Sequence, residues 1–475
     1  MTAPAPSPAA APAGWRMRVV PVVVAAPLFL QNLDTSIMTT ALPGIAQALQ
    51  VEPLRLNLAI TAYLLSLAVF LPLSGWCADR FGARRVFCWA IGCFALGSAL
   101  CGVAQSLHQL VVFRVLQGLG GALMVPVGRL ILLRSVPTEL MVRAMVWFTV
   151  PPAIGRMLGP LVGGAIVSFT SWRWIFLINV PCGLLGIALA LAFIDRSGAP
   201  LQAPPPFDGV GFGLLAVGLT ALLGAIDTAG KGLVSGGLEW LAAGLGLAAL
   251  VLYAWRSRRV AHPLIDLAIL RHPTFRASIV GGTPLRIAIG ASPFLLPLML
   301  QLGFGLSPLA SGALTMATAV GSLATRVVMT HTIRALGFKP LLLGTTVATS
   351  LAYASYGLFT PATPHPLIFA VLLLGGLVNS MGMVALQTLG FSEIEKPRMS
   401  HATTLNTMAQ QVSLSAGVLL GATLLAAAAR WRGGDAAQLL AADFAPAFWC
   451  VGAMTMLSLP WFARLDRTAG DTLRV

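Results

Sequence analysis

Fourteen stretches of roughly 20 apolar residues, separated by short polar segments, leave this chain few folds to choose from. Lipid offers no water to backbone N–H and C=O groups, so runs of that length become helices whose hydrogen bonds close within the segment. The runs lie near residues 19–43, 57–77, 86–105, 108–133, 144–168, 174–195, 209–228, 237–256, 274–301, 308–332, 340–359, 366–392, 402–429 and 444–463. Only 9% of the residues are charged and 57% are hydrophobic, where a soluble domain carries about 25% charge. The expectation is an all-α polytopic membrane protein.

The spans divide as six, two and six. The predicted organisation is a cytoplasmic tail (1–18), an N-terminal six-helix bundle (19–195), a linker with two extra transmembrane helices (196–273), a C-terminal six-helix bundle (274–463) and a second cytoplasmic tail (464–475). Residues 199–206, rich in proline, and the basic loop 256–276 flank the middle pair, which reads as an insertion. The opening residues 1–14, rich in Ala and Pro, read as a disordered tail, and no cleavage pattern marks a signal peptide. With the N-terminus inside, about 20 Lys and Arg fall on the cytoplasmic side and about 5 outside, the bias that sets membrane orientation. Both termini are then expected in the cytoplasm. The formal charge of +15 does not point to nucleic acid, because the bases sit in short loops and not on one amphipathic surface. Cys77, Cys88, Cys93, Cys101, Cys182 and Cys450 show no CxxC or metal-ligand spacing and read as small core residues.

Asp34, in LDTSIMTTALP (33–43), is the only acid that falls deep in any span. An ionisable group costs a few kcal/mol in hydrocarbon, so such residues face a protein interior or aqueous cavity and mark an ion or substrate path. At 1.5 Å per residue Asp34 lies roughly 13 Å from the outer end of span one, and Arg114 roughly 9 Å from the outer end of span four. They can meet. An arginine there favours the charged carboxylate while desolvation favours the neutral acid, a balance that an arriving proton or substrate could tip.

Three further stretches carry mechanics. GWCADRFGARR (75–85) places Gly75, Asp79, Arg80, Gly82, Arg84 and Arg85 in one short loop. Gly82 can turn tightly there, and Asp79 can cap a helix or pair with a base across an interface. A plain basic cytoplasmic turn reads the same residues equally well. RVLQGLGGALMVP (114–126) carries glycines that admit a close neighbour. AIGRMLGPLVGG (153–164) sets Gly155, Gly159, Gly163 and Gly164 on a smooth face, with Pro160 as a bend. SWRWIFLINVP (171–181) reads as an outer aromatic belt entering span six.

Arg156 and Arg286 lie at mid-membrane depth, whereas Arg129 and Arg326 are near enough to span ends to snorkel. Gln31, Asn32, Tyr63, Met124, Asn379, Gln387 and Gln410 complete the candidate substrate contacts, interhelical hydrogen bonding or packing being the other reading of each. No HExxH or His/Cys cluster suggests a metal, and no cofactor is implied. Gly230-Lys231 is followed by Gly232, so no phosphate loop is formed. No Ser/His/Asp set falls within the spans, and the chain is not expected to be an enzyme.

Together LDTSIMTTALP, GWCADRFGARR, RVLQGLGGA, GRMLGPLVGG and WRWIFLINVP resemble the successive motifs of the major facilitator superfamily, in particular its 14-spanner drug:proton antiporters of the EmrB/QacA type. The resemblance implies two six-helix bundles rocking about a central site, each built of inverted three-helix repeats. It implies proton coupling at Asp34 and Arg114, an inter-bundle latch at Asp79 and Arg80, and an antiport role for the Gly/Pro face of span five. Arg156 departs from the family pattern, which has a small or apolar residue there. The implied activity is export of small amphipathic compounds in exchange for protons. The surplus of central arginines keeps a second cargo open, an organic anion or metal-carboxylate chelate. A non-transporting receptor is the reading from another class. An envelope duct partner fits the family, although no residue here reports one.

Overall fold

The structure is a computed structural model describing residues 16–136, 141–195, 206–228, 236–395, 398–433, 439–466 and 470. The expected tail at 1–14 and most of the proline-rich stretch fall outside the described residues. Among those described, thirteen helices are long and apolar enough to cross a membrane. They are α1 (Val19–Leu49), α2 (Pro53–Phe70), α3 (Ala83–Gly102), α4 (Leu107–Ser135), α5 (Trp147–Phe169), α6 (Trp174–Phe193), α7 (Gly209–Ile226), α8 (Gly237–Ser257), α9 (Pro273–Gly303), α10 (Pro308–Leu336), α12 (His365–Gly390), α13 (Met399–Trp431) and α14 (Ala441–Ala463). The fourteenth, α11 (Phe338–Tyr356), has hydroxyls at Thr345, Thr346 and Ser350 diluting its hydropathy. Those hydroxyls are satisfied inside the bundle, Thr346 by Leu342 O and Ser350 by Gly452 O.

Prolines shape these helices without ending them. Pro21, Pro27 and Pro43 all lie inside the first helix, which runs on to Leu49, past the boundary expected near residue 43. At Pro72 the chain does break, and a short helix, Leu73–Phe81, continues the line of α2. Gly82 then adopts φ +90° as that helix's C-cap and opens α3. A side chain is disfavoured at such a backbone angle, which is why the turn demands glycine.

Packing follows a repeated scheme. In the first half α1 lies along α5, α3 along α4, α2 against α4, and α3 against α6. The second half repeats it position for position: α9 with α13, α11 with α12, α10 with α12, and α11 with α14. The halves meet along two related seams, α5 on α10 and α2 on α13. Helices α7 and α8 pack on each other, and α7 reaches both halves through α2 and α13. Asp208 ties the pair together: its Oδ1 accepts from Gly211 N and from Arg256 Nη2, each at 2.9 Å. Leu241, Leu245, Val251 and Trp240 of α8 are exposed, an apolar face suited to lipid.

Candidate functional site

Four helices of the first half converge on one carboxylate. Asp34 of α1 is 3% exposed and Arg114 of α4 is 1% exposed. Arg114 Nη1 donates to Asp34 Oδ2 at 2.6 Å and to Gln117 Oε1 at 2.9 Å. Gln117 stands one helical turn beyond Arg114, so both side chains leave α4 on the same face. Its Nε2 donates to Asp34 Oδ1 at 3.0 Å. From α6, Asn179 Nδ2 donates to Asp34 Oδ1 at 3.0 Å and to Ser98 Oγ of α3 at 3.0 Å. Ser98 Oγ in turn donates to Phe176 O at 2.9 Å. The Arg114 guanidinium lies between two aromatic rings, 5.1 Å from Tyr63 and 4.9 Å from Phe176. Removing one member of a buried pair leaves the other charge uncompensated, at a cost of about 3–5 kcal/mol.

The meeting of Asp34 and Arg114 follows from depth alone. Gln117, Asn179 and Ser98 did not enter the sequence argument, although the first two stand inside quoted motifs. A signal was present: Gln117 sits at i+3 from an intramembrane arginine, and Asn179 is a lone amide in the apolar run 174–193.

Span five shows how its Gly/Pro motif works. Gly155 faces α1 so closely that a Cβ there would lie 2.6 Å from Phe29 O, and one at Gly159 would collide with Ser36. Gly163 likewise faces Ile37. Pro160 has no N–H, which leaves the carbonyl four residues earlier without its helical partner. That carbonyl belongs to Arg156, and Ser36 Oγ donates to it at 2.9 Å. Gly159 thus admits the serine that repairs the bond Pro160 removes. Ser36→Ala is expected to lower stability in detergent by about 0.6 kcal/mol, and the loss should vanish in a Pro160→Ala background, where the helix mends itself. Thermal unfolding of the double-mutant cycle checks this.

Arg156 of α5 is exposed. Its Nη2 donates to Asn32 Oδ1 at 2.7 Å, and Asn32 is anchored to Leu28 O at 2.9 Å. Arg286 of α9 is wholly buried; its Nη2 donates to Asn406 Oδ1 at 2.8 Å, while Nε and Nη1 meet no partner among the described residues. Gln387 and Gln410 approach at 3.4 Å, and Asn379 donates to the Tyr353 hydroxyl at 3.1 Å. Gln31 and Tyr63 are buried beside the carboxylate network, and Met124 is fully buried in packed core. The expected loop at 75–85 is instead two helices meeting at Gly82, because glycine there takes φ +90° and one residue suffices for the turn. Asp79 Oδ1 accepts from Arg134 Nη2 at 3.0 Å, and Arg84 Nη2 donates to Leu191 O at 2.6 Å. Both contacts stay within the first half, and neither crosses to the second; Gly75 and Arg80 lie in the short helix before Gly82, and Arg85 lies in α3.

The halves also touch directly. A Cβ at Gly164 of α5 would strike Pro308 O, and one at Gly312 of α10 would strike Pro160 O. Beside them Gln301 Nε2 of α9 donates to Thr40 O of α1 at 2.9 Å. An open cleft of about 620 Å³, lined by Pro43, Gln47, Trp172, Gln301 and Pro308 among others, lies over this contact. None of the candidate substrate residues lines it.

The sequence profile of the Major Facilitator Superfamily matches residues 28–418. "Putative multidrug resistance protein MdtD" of Klebsiella pneumoniae (strain 342) is 38% identical over 404 residues, 85% of each chain. The protein of the same name from Cronobacter sakazakii (strain ATCC BAA-894) is 39% identical over 406 residues, again 85% of each. Among solved structures, a POT family peptide transporter in an auto-inhibited state superposes with TM-score 0.68 at 16% identity, covering 95% of this chain and 97% of that one. A D-xylose-proton symporter superposes with TM-score 0.67 at 15% identity, covering 95% and 99%.

Proposed function

This chain belongs to the Major Facilitator Superfamily, and from that premise we propose that it is a proton-driven exporter of small amphipathic compounds in the bacterial inner membrane, both termini cytoplasmic. The observation that carries the proposal is the Asp34 network, a carboxylate in the middle of a span with every contact drawn from a donor. Such a group can bind and release one proton per cycle, and the two seams between the halves supply surfaces that can part and close in turn. Asp34 and Arg114 are the coupling pair in this reading. The relatives' shared name supports a drug-like cargo, with Gln31, Asn32, Tyr63 and Arg156 on one side and Asn379, Gln387 and Gln410 on the other. The 75–85 turn at Gly82, with the helix ends on either side of it, is the latch between states, and the glycine face of α5 is the antiport motif.

A second cargo is favoured by one specific observation. Arg114 is neutralised by Asp34, but Arg156 and Arg286 are not matched by any acid that the structure places against them. Unmatched positive charge at mid-membrane depth suits an organic anion or a metal-carboxylate chelate. Everted vesicles separate the two. Under an imposed ΔpH, lipophilic cations and carboxylates are offered in turn, with proton movement followed by a pH-sensitive dye. Cargo-dependent proton efflux with cations alone retires the anion reading; efflux with carboxylates alone, lost in Arg156→Ala, retires the cation reading. No efflux with any cargo counts against proton coupling itself.

A further inference from the structure

Every group that touches the Asp34 carboxylate is a hydrogen-bond donor. Arg114 Nη1 holds Oδ2, while Gln117 Nε2 and Asn179 Nδ2 hold Oδ1. The orientation of the Asn179 amide is dictated by its surroundings. A carboxylate oxygen only accepts, and Ser98 Oγ has already given its proton to Phe176 O, so it too accepts. Asn179 therefore turns its NH2 to both, and its own Oδ1 lies buried with no partner.

A neutral carboxyl at position 34 has the opposite need. It carries an O–H, and that hydrogen requires an acceptor. On Oδ2 it would face Arg114, which has only donors. On Oδ1 it would face two amides, one of which must turn over. Turning Gln117 would set its NH2 against Arg114 Nη1, two donors where a bond of 2.9 Å now stands. Turning Asn179 gives up its donations to Asp34 Oδ1 and to Ser98 Oγ; the carboxyl O–H replaces the first, and the serine hydroxyl can swing from Phe176 O to the amide oxygen in place of the second.

We propose that Asn179 is the positioning residue that registers the protonation of Asp34, rotating its amide by half a turn so that the idle Oδ1 accepts the carboxyl proton. The proton comes from solvent and ends on Asp34 Oδ1; no other covalent bond changes. The rotation also releases Phe176 O at the start of α6 and re-aims Ser98 on α3, so proton occupancy is felt by both helices. The other charged or titratable groups near the pair are Arg114 and Tyr63, stacked at 5.1 Å, and Cys101, whose Sγ reaches Gln117 Oε1 at 3.9 Å. Arg156 of α5 is engaged by Asn32. None of them offers an ionised acceptor in place of the asparagine, since Tyr and Cys are ordinarily neutral at pH 7.

This rests on the coupling role of Asp34, and the experiment keeps the two apart. Full-length protein in lipid, carrying isotope-labelled asparagine, is titrated while infrared difference spectra are recorded. The expected result is a carboxylic-acid band that is absent in Asp34→Asn, and a labelled asparagine amide band moving with the same midpoint and absent in Asn179→Thr. A carboxyl band without any asparagine movement overturns the switch and leaves coupling intact. No Asp34 band at any pH overturns coupling and the switch with it. The isosteric pair Asn179→Thr and Asn179→Val gives a second reading. The threonine hydroxyl both donates and accepts and should hold the Asp34 midpoint within a few tenths of a unit. Valine removes a donor to the anion and should move the midpoint to higher pH by about one unit, roughly tenfold in proton affinity. Equal midpoints in the two variants would reduce Asn179 to packing.

Discussion

Asp34→Asn should leave a transporter that binds and exchanges its cargo but cannot concentrate it under a pH gradient. Asparagine keeps an oxygen for Arg114 Nη1 and presents an NH2 where the neutral acid presents O–H, so it imitates the protonated state permanently. Each pH unit across the membrane supplies about 1.36 kcal/mol per proton, or about tenfold in cargo concentration. The wild type is therefore expected to reach about tenfold accumulation per unit of ΔpH in everted vesicles, and the variant to stop at equilibrium. Counterflow exchange, which needs no net proton movement, should persist at a rate within roughly an order of magnitude. Accumulation by the variant driven by ΔpH alone would show that some other group carries the proton. The uncompensated Arg114 should also lower thermal stability, since a buried charge has lost its counter-ion.

Gly164→Val should be nearly as damaging for a different reason. Gly164 lies against Pro308 O, at the point where α5 and α10 join the two halves. A branched side chain there cannot be absorbed by a rotamer change, because the obstacle is backbone. Overpacking costs about 1–3 kcal/mol, and here the cost falls on one state of the cycle only. The ratio of parted to closed seam should rise roughly 5- to 150-fold. In a background stripped of reactive cysteines, a cysteine at Leu306 should label faster from the cleft side, and transport should fall at least about tenfold. Thermal unfolding should change little. Gly155→Val makes the contrast: its obstacle is Phe29 O inside the first half, so it should cost folding stability and not merely shift a balance. Unaltered labelling and full transport in Gly164→Val would mean that this seam never opens.

Most of the architecture was legible because lipid removes the alternatives: twenty apolar residues in a row have one way to satisfy their backbone. The single helix that length and hydropathy undervalue is α11, where hydroxyls that bond back to their own helix or to Gly452 O lower the average without lowering the fitness for a bundle interior. Asp34 and Arg114 could be paired from depth, since both count from the same membrane face. The rest of the network could not. Asn179 needs the crossing of α6 over α1, and Ser36 needs the knowledge that Pro160 leaves Arg156 O free on the side facing α1. The segment 75–85, helical on both sides of Gly82, shows the limit of a charge pattern: Asp79 had several bases within reach in sequence, and Arg134, 55 positions away, is the one it meets. Likewise residue type did not reveal that Arg286 is sealed against α13 while Arg156 is exposed.

The solitude of Asp34 among the described mid-span residues fixes the electrical character of the cycle. If one carboxyl carries one H⁺ inward per turnover, the current depends only on what leaves. A monovalent cation going out would make the exchange silent to a voltmeter, a neutral molecule would move one elementary charge, and a monovalent anion would move two. At about 2.3 kcal/mol per charge per 100 mV, an anion exporter built this way would draw more of its drive from voltage than from acidity. Electrode recordings on a supported bilayer would then read the valence of the cargo before its identity is known.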